Sequence, residues 1–183
     1  MRSKTKSMKL EIKNIRYFPT RSEETNNFTA DIYVDGVKVG RADNTGQGGP
    51  TSYYVIKNEL VGKLKAAEKY AESLPPTISS YGEDDKAFEI KSNLEWVIDM
   101  AVEDFINNKD IIKFNKAKER AMLKGIVYSD NETSFRTITW GHRTMAEVLA
   151  IPSGKIAIRN EIKKVKAKGG KVLNTNIPQE LFA

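Results

Sequence analysis

Two short runs of β-branched residues, 32–34 and 37–39, flank Asp35 and Gly36. An Asp-Gly pair between such runs is the strongest short sequence signal for a β-hairpin with a two-residue turn. Upstream, residues 9–17 alternate between apolar and polar positions at first, which predicts a strand. The pattern therefore predicts an N-terminal strand followed by a hairpin over residues 28–42.

Further along the chain, apolar residues recur every three or four positions, which is the spacing of one helix face. Residues 56–74 and 84–108 predict two amphipathic helices, and Pro75 and Pro76 end the first of them. Residues 77–82 are predicted to be a linker. A shorter helix is predicted over residues 110–123. The buried side of the last helix is predicted at three positions: Ile158, Ile162 and Val165.

Between these helices, residues 125–128 and 134–140 predict a second hairpin. Thr144 and Glu147 have the spacing of a capping box and predict the start of a short helix. Residues 171–174 suggest a final edge strand. Strands that come in hairpins and helices that come in runs favour an α+β fold. We expect an antiparallel sheet from two hairpins plus the N-terminal strand, packed against four to five helices.

The 183 residues suit one domain, which we place at residues 8–183. Residues 1–7 are basic, lack an apolar stretch and are expected to be a disordered tail. A subdivision into residues 8–109 and 110–183 stays open. No window reaches the roughly 18 apolar residues of a membrane span, so no membrane association is expected.

The chain has no cysteine and a single histidine, His142. This composition excludes disulfides, thiolate catalysis, cysteine zinc sites and multi-histidine metal sites. No catalytic set, metal site or cofactor is predicted, and the expectation leans away from an enzyme. The absence of cysteine also fits a cytoplasmic protein.

Charge is unevenly distributed along the chain. Residues 1–82 carry a net charge of +4, residues 83–109 carry −5, and residues 110–183 carry +7. A basic C-terminal part is typical of proteins that bind nucleic acid or another polyanion. The alternative is a solvated surface, with the acidic segment packed beside a basic one.

A glycine-rich loop follows the first hairpin and is the first candidate site. It lacks the lysine of a P-loop and the glycine spacing of a dinucleotide-binding turn. Its backbone N–H groups could still approach a phosphate, and its polar side chains could add hydrogen bonds. The alternative is a wide turn that needs glycine for its conformation. The candidate ligand-binding residues are Asn44, Gly46, Gln47, Gly48, Gly49 and Thr51.

Two further candidates lie in the C-terminal part. Trp140, His142 and Arg143 could stack on a base and pair with a phosphate, or they could be core packing followed by a turn. A lysine cluster near the end of the last predicted helix could contact phosphates, or it could be a solvated face. Its members are Lys163, Lys164, Lys166, Lys168 and Lys171.

Asp35-Gly36 and the run from Asn44 to Gly49 resemble the first strands of ribonuclease H, in which a catalytic Asp-Gly precedes an Asn-x-Gly-x-Gly-Gly run. This resemblance implies a divalent-metal nuclease. Such two-metal chemistry needs several carboxylates that converge on the ions. The carboxylates that would join Asp35 are Glu59 or Glu68, and Asp130.

Residues 22–40, the loop after them and the helix that ends at Pro76 resemble a group of small bacteriophage and prophage proteins, over residues 8–140. This resemblance implies a virus-encoded accessory protein in the cytoplasm of a host bacterium. The leading hypothesis is a non-enzymatic protein that binds a nucleic acid or a nucleotide-type ligand, with counter-defence as one purpose. The alternative is an inhibitor that binds a host or defence protein through the hairpin or an acidic helix over residues 83–104. The oligomeric state is left open.

Overall fold

A computed structural model describes residues 8–80, 87–131 and 133–183. The tail predicted at residues 1–7 and the helix start predicted at Asp84 and Asp85 lie outside the described residues. The chain divides into two compact units, which we call unit 1 (Met1–Asn108) and unit 2 (Lys109–Ala183). Helices and antiparallel strands are present in both, which confirms the α+β class.

Unit 1 contains a four-stranded antiparallel sheet in the order β1-β2-β3-β4. The predicted hairpin is confirmed: Asp35 and Gly36 have φ angles of +50° and +80°, as a type I′ turn requires. A fourth strand follows the glycine loop and was not predicted. The strands are β1 (Leu10–Tyr17), β2 (Phe28–Val34), β3 (Val37–Asn44) and β4 (Ser52–Val55).

Helix α1 (Val61–Glu72) packs on this sheet and begins later than the pattern predicted, because a short 3-10 helix (Asn58–Leu60) precedes it. The residues after α1 were predicted to be a linker. Instead, β5 (Thr77–Ser80) pairs with β6 (Ala87–Ile90) as a separate two-stranded sheet.

The prediction of two helices, over residues 84–108 and 110–123, is wrong. The residues of β6 are extended. A single continuous helix, α2 (Leu94–Met122), follows them, and its residues belong partly to unit 1 and partly to unit 2. Its apolar face in unit 1 closes the core against the sheet and α1. The fully buried members of that core include Phe28, Ile32, Val39, Leu94 and Ile98.

Unit 2 holds a separate three-stranded antiparallel sheet in the order β8-β7-β9, so the two predicted hairpins do not join one sheet. The capping box of Thr144 and Glu147 is confirmed at the start of α3. The core of unit 2 is formed by the sheet, α3, α4 and the chain end, and includes Ile126, Met145, Val148, Ile158 and Ile162. The elements are β7 (Gly125–Ser129), β8 (Arg136–Thr139), α3 (Met145–Leu149), α4 (Pro152–Ala167) and β9 (Lys171–Val172).

No helix among the described residues is both long and apolar enough to span a membrane.

Candidate functional site

The glycine loop of unit 1 is organised around the buried side chain of Asn44, at the end of β3. The Asn44 Oδ1 accepts hydrogen bonds from the Gly46 N–H and the Thr25 hydroxyl, both at 2.8 Å. The Asn44 Nδ2 donates to the Gly49 carbonyl at 2.9 Å and to the Thr51 hydroxyl at 3.3 Å. The Asn44 side chain therefore forms hydrogen bonds with groups at both ends of the loop, which is how a short polar side chain stabilises a turn.

The loop glycines are needed for conformation and for close approach. Gly46 and Gly48 both have a φ of +84°. A Cβ on Gly46 would lie 2.3 Å from the Arg21 carbonyl oxygen, and one on Gly48 would lie 2.1 Å from a carboxylate oxygen of Glu24. The backbone at Arg21 thus packs directly on Gly46, where both the close approach and the positive φ require glycine. At Gly48 the positive φ is the reason for glycine, because the flexible Glu24 side chain could move away from a Cβ.

The N–H groups of Gly46 and Gly48 are engaged within the protein. The first donates to Asn44, and the second donates to the Thr25 hydroxyl at 3.3 Å. The Thr51 N–H donates to the Glu95 carboxylate at 3.0 Å. These three amides therefore already have partners within the protein, and the positive φ angles of Gly46 and Gly48 are those that the wide-turn alternative requires.

The surroundings of the loop are acidic. A pocket of about 270 Å³ lies between the loop and α2, and Glu95, Asp99 and Glu103 line its helix side. Burial raises the pKa of the Asp99 carboxyl, and the nearby Glu95 carboxylate raises it further, while the hydrogen bond from Thr51 opposes both. A phosphate at this pocket would meet carboxylates of its own sign, so the pocket does not suit an anion. Every buried side-chain N or O among the described residues has a hydrogen-bond partner, so none marks a missing ligand.

Trp140 in unit 2 is half-buried and packs against the core of that unit. It pairs with Arg143 across a tight turn in which Gly141 has a φ of +61°. His142 and Arg143 are exposed on this turn, immediately before α3. The core-packing alternative therefore describes Trp140, while His142 and Arg143 remain accessible to a ligand.

The predicted lysine cluster lies on and after the second half of α4, and all five lysines are exposed. Two of them have partners within unit 2. Lys164 forms a salt bridge of 2.7 Å with Glu161, and the Lys166 ammonium donates to the Phe182 carbonyl at 2.6 Å. Among the described residues, Lys163, Lys168 and Lys171 form no salt bridge.

Sequence reasoning missed two basic residues in the first half of α4, Lys155 and Arg159. Both are exposed, and with Lys163 and Lys166 they recur at spacings of four, four and three residues along the helix. Residues at these spacings lie on one helix face. The spacing is visible in the sequence, although the lysines are densest near the end of the helix.

The loop belongs to unit 1, whereas Trp140, His142, Arg143 and the lysines belong to unit 2. Each unit therefore holds a candidate of its own, with acidic surroundings in unit 1 and basic residues in unit 2.

The carboxylates that the ribonuclease H resemblance requires are not brought together as a site. Asp35 lies in the hairpin turn, where its carboxylate accepts the Lys9 N–H at 3.0 Å. Glu59 and Glu68 lie elsewhere in unit 1, and Asp130 lies in unit 2. Over the described ranges, no group of three or more His, Cys, Asp or Glu side chains is placed to hold a metal ion.

No family model matches the chain, and no curated protein and no solved structure shows significant similarity to it.

Proposed function

We propose that this chain is a non-enzymatic nucleic-acid-binding protein and that its binding surface lies on unit 2. The observation that carries this proposal is the separation of charge between the units. Unit 1 has 15 Lys and Arg against 17 Asp and Glu, whereas unit 2 has 15 against 7. The net charges are thus −2 and +8, so the entire positive excess of the chain belongs to the smaller unit. A concentrated positive field attracts a polyanion.

The exposed basic face of α4 supports the same conclusion in more detail. Lys155, Arg159, Lys163 and Lys166 lie along one side of the helix, over about 16 Å at 1.5 Å per residue. A DNA duplex carries one phosphate charge per about 1.7 Å of its axis, so several phosphates fall within that length. Arg143, on the turn before α3, adds another exposed cation to the unit.

Fluorescence anisotropy on the full chain tests the proposal, with labelled duplex DNA, single-stranded DNA and RNA at several salt concentrations. The double variant Lys155→Ala/Lys163→Ala should weaken binding. It should also lower the slope of log affinity against log salt by about 2, because each lost phosphate contact removes about 1.

The matched control is Lys63→Ala/Lys65→Ala, which removes two exposed lysines from α1 in unit 1. It changes the net charge equally and should leave the slope unchanged. Absence of salt-sensitive binding to any of the three nucleic acids would eliminate the proposal. An equal loss in both double variants would place the binding surface outside α4.

A protein-binding role is the second candidate, and the β5–β6 hairpin favours it. Ile78 and Phe88 on this hairpin are 72% and 47% exposed. The strand register places these two side chains on opposite faces of the hairpin, so each offers an apolar contact of its own. Aromatic side chains such as that of Phe88 are enriched at protein interfaces. The acidic segment contributes less to this alternative, because Glu95 and Asp99 are already bonded to Thr51 within unit 1. Capture of the same host protein after nuclease treatment, lost in Ile78→Ser/Phe88→Ser, would favour this candidate over the first.

A bacteriophage origin, a counter-defence role and a bacterial cytoplasmic location stay predictions from the resemblance. Detection of the protein in cells during infection by a virus that encodes it would test them together.

A further inference from the structure

Helices α3 and α4 form a consecutive helix pair with a very short connection. Only Ala150 and Ile151 separate them. Ile151 is extended, with φ −112° and ψ 138°, so the chain changes direction there before Pro152 begins α4. A turn of two residues therefore joins a brief helix to a longer one, which is shorter than the three or four residues of a typical helix-turn-helix motif.

The two helices are packed tightly at their junction. A Cβ on Gly154, in the first turn of α4, would lie 2.0 Å from the Val148 carbonyl oxygen of α3. Met145 and Val148 of α3 share one buried cluster with Ile158 and Ile162 of α4. The buried side of α4 is thus held by α3 and the rest of unit 2, and its opposite side faces solvent.

The solvent side of α4 carries a mixed set of side chains. Four exposed residues follow each other at spacings of three, one and three residues: Ile156, Arg159, Asn160 and Lys163. One class of recognition helix, that of the homeodomain, reads bases with residues at this same spacing. Ile156 is 60% exposed on this otherwise polar side of the helix, where it is accessible to an apolar contact.

Resting on the proposed function, we infer that α4 is a recognition helix that enters the major groove of duplex DNA. Asn160 would bond an adenine edge, Ile156 would contact a thymine methyl group, and Lys155 and Lys163 would contact phosphates. An α-helix with its side chains is about 10–12 Å wide and fits the roughly 12 Å major groove of B-DNA. The major groove of A-form RNA is too narrow for it, so the charge and shape together select duplex DNA.

The experiment has two steps on the full chain. Selection from a random duplex pool first identifies the sequence that binds most tightly. Anisotropy then compares the wild type with Asn160→Ala and Ile156→Ala on the selected duplex and on a scrambled duplex. Asn160→Ala should lose about tenfold or more in affinity for the selected duplex and change little on the scrambled one, because base contacts discriminate and phosphate contacts do not.

One control variant and two groove probes locate the contact. Asn107→Ala removes an exposed helical asparagine from unit 1 and should leave both affinities unchanged. Methyl groups placed in the major groove, on adenine N6 or guanine N7 of the selected duplex, should weaken binding. Netropsin, which occupies the minor groove, should not compete. Circular dichroism of each variant verifies that it is folded.

The possible outcomes distinguish the major-groove inference from the proposed binding of nucleic acid. Salt-sensitive binding that is equally strong for every nucleic acid and unaffected by Asn160→Ala and Ile156→Ala would overturn the major-groove inference and leave the proposed function intact. Competition by netropsin would also overturn it. No binding to any nucleic acid would remove both.

Discussion

The hydroxyl of Thr51 donates a 2.5 Å hydrogen bond to the carboxylate of Asp99. The backbone N–H of Thr51 bonds Glu95, one helical turn earlier on α2. Two carboxylates on one helix face therefore hold the end of the glycine loop. The arrangement fixes the loop, but it also buries part of the Asp99 carboxyl, which raises its pKa, and the Glu95 carboxylate nearby raises that pKa further.

Asp99→Asn should stabilise unit 1 at neutral pH. Because burial raises the pKa of Asp99 in the folded state, folding favours the protonated carboxyl, and the stability that this gives is lost as pH rises above the ordinary value of 3.8. Asparagine is uncharged and can still accept the bond from Thr51. Thermal melts at pH 7 and pH 4 should show a higher Tm for the variant at pH 7 and a smaller difference at pH 4. A variant that melts below the wild type at pH 7 would contradict the assignment.

Asn44→Ala should destabilise unit 1 by about 1–3 kcal/mol, since it leaves the Gly46 N–H and the Gly49 carbonyl without their partner. Urea unfolding monitored by circular dichroism measures the change. Gln47→Ala in the same loop is the control, because Gln47 is exposed, and its effect should stay within about 0.5 kcal/mol. Equal effects from the two variants would mean that Asn44 does not organise the loop.

Gly154→Ala should destabilise unit 2 by about 1–3 kcal/mol, because its Cβ would meet the Val148 carbonyl and force α3 and α4 apart. Gly62→Ala in α1 is the matched control. No atom lies within 4 Å of the Cβ position there, so the higher helix propensity of alanine should raise stability by up to about 1 kcal/mol. Denaturant midpoints that move in opposite directions are the expected result. A stabilising Gly154→Ala would show that the junction is not tight.

Asn174→Ala should destabilise unit 2 by about 2 kcal/mol or more. The buried Asn174 side chain accepts the Val127 N–H at 2.6 Å and donates to the Gly125 carbonyl at 3.0 Å, and so completes the hydrogen bonding of the part of β7 that the short strand β9 does not cover. Its loss leaves two buried backbone groups unpaired. Asn160→Ala, on the solvent side of α4, should leave the unfolding midpoint unchanged. A neutral Asn174→Ala would mean that water replaces both bonds.

The sequence predicted the features that depend on neighbours a few residues apart. The Asp35-Gly36 turn, the capping box at Thr144 and the buried face of α4 were all confirmed, because positive φ, a cap and a helical period are local properties. The prediction from sequence failed where a local signal was ambiguous. Asp84 and Asp85 predict the start of a helix, yet residues 87–90 pair with β5 and are extended.

The sequence by itself determined the α+β class, the hairpin turn and the basic C-terminal part, because composition and short-range periodicity suffice for these. Only the tertiary structure decided what the candidate residues can do. It placed Glu95 and Asp99 against the glycine loop and engaged the Gly46 and Gly48 N–H groups within the protein. It also set α3 against α4, so that Ile156 and Asn160 face solvent beside a row of cations. These outcomes depend on partners that are distant in sequence, such as Thr51 and Asp99, and no local pattern specifies which distant groups will meet.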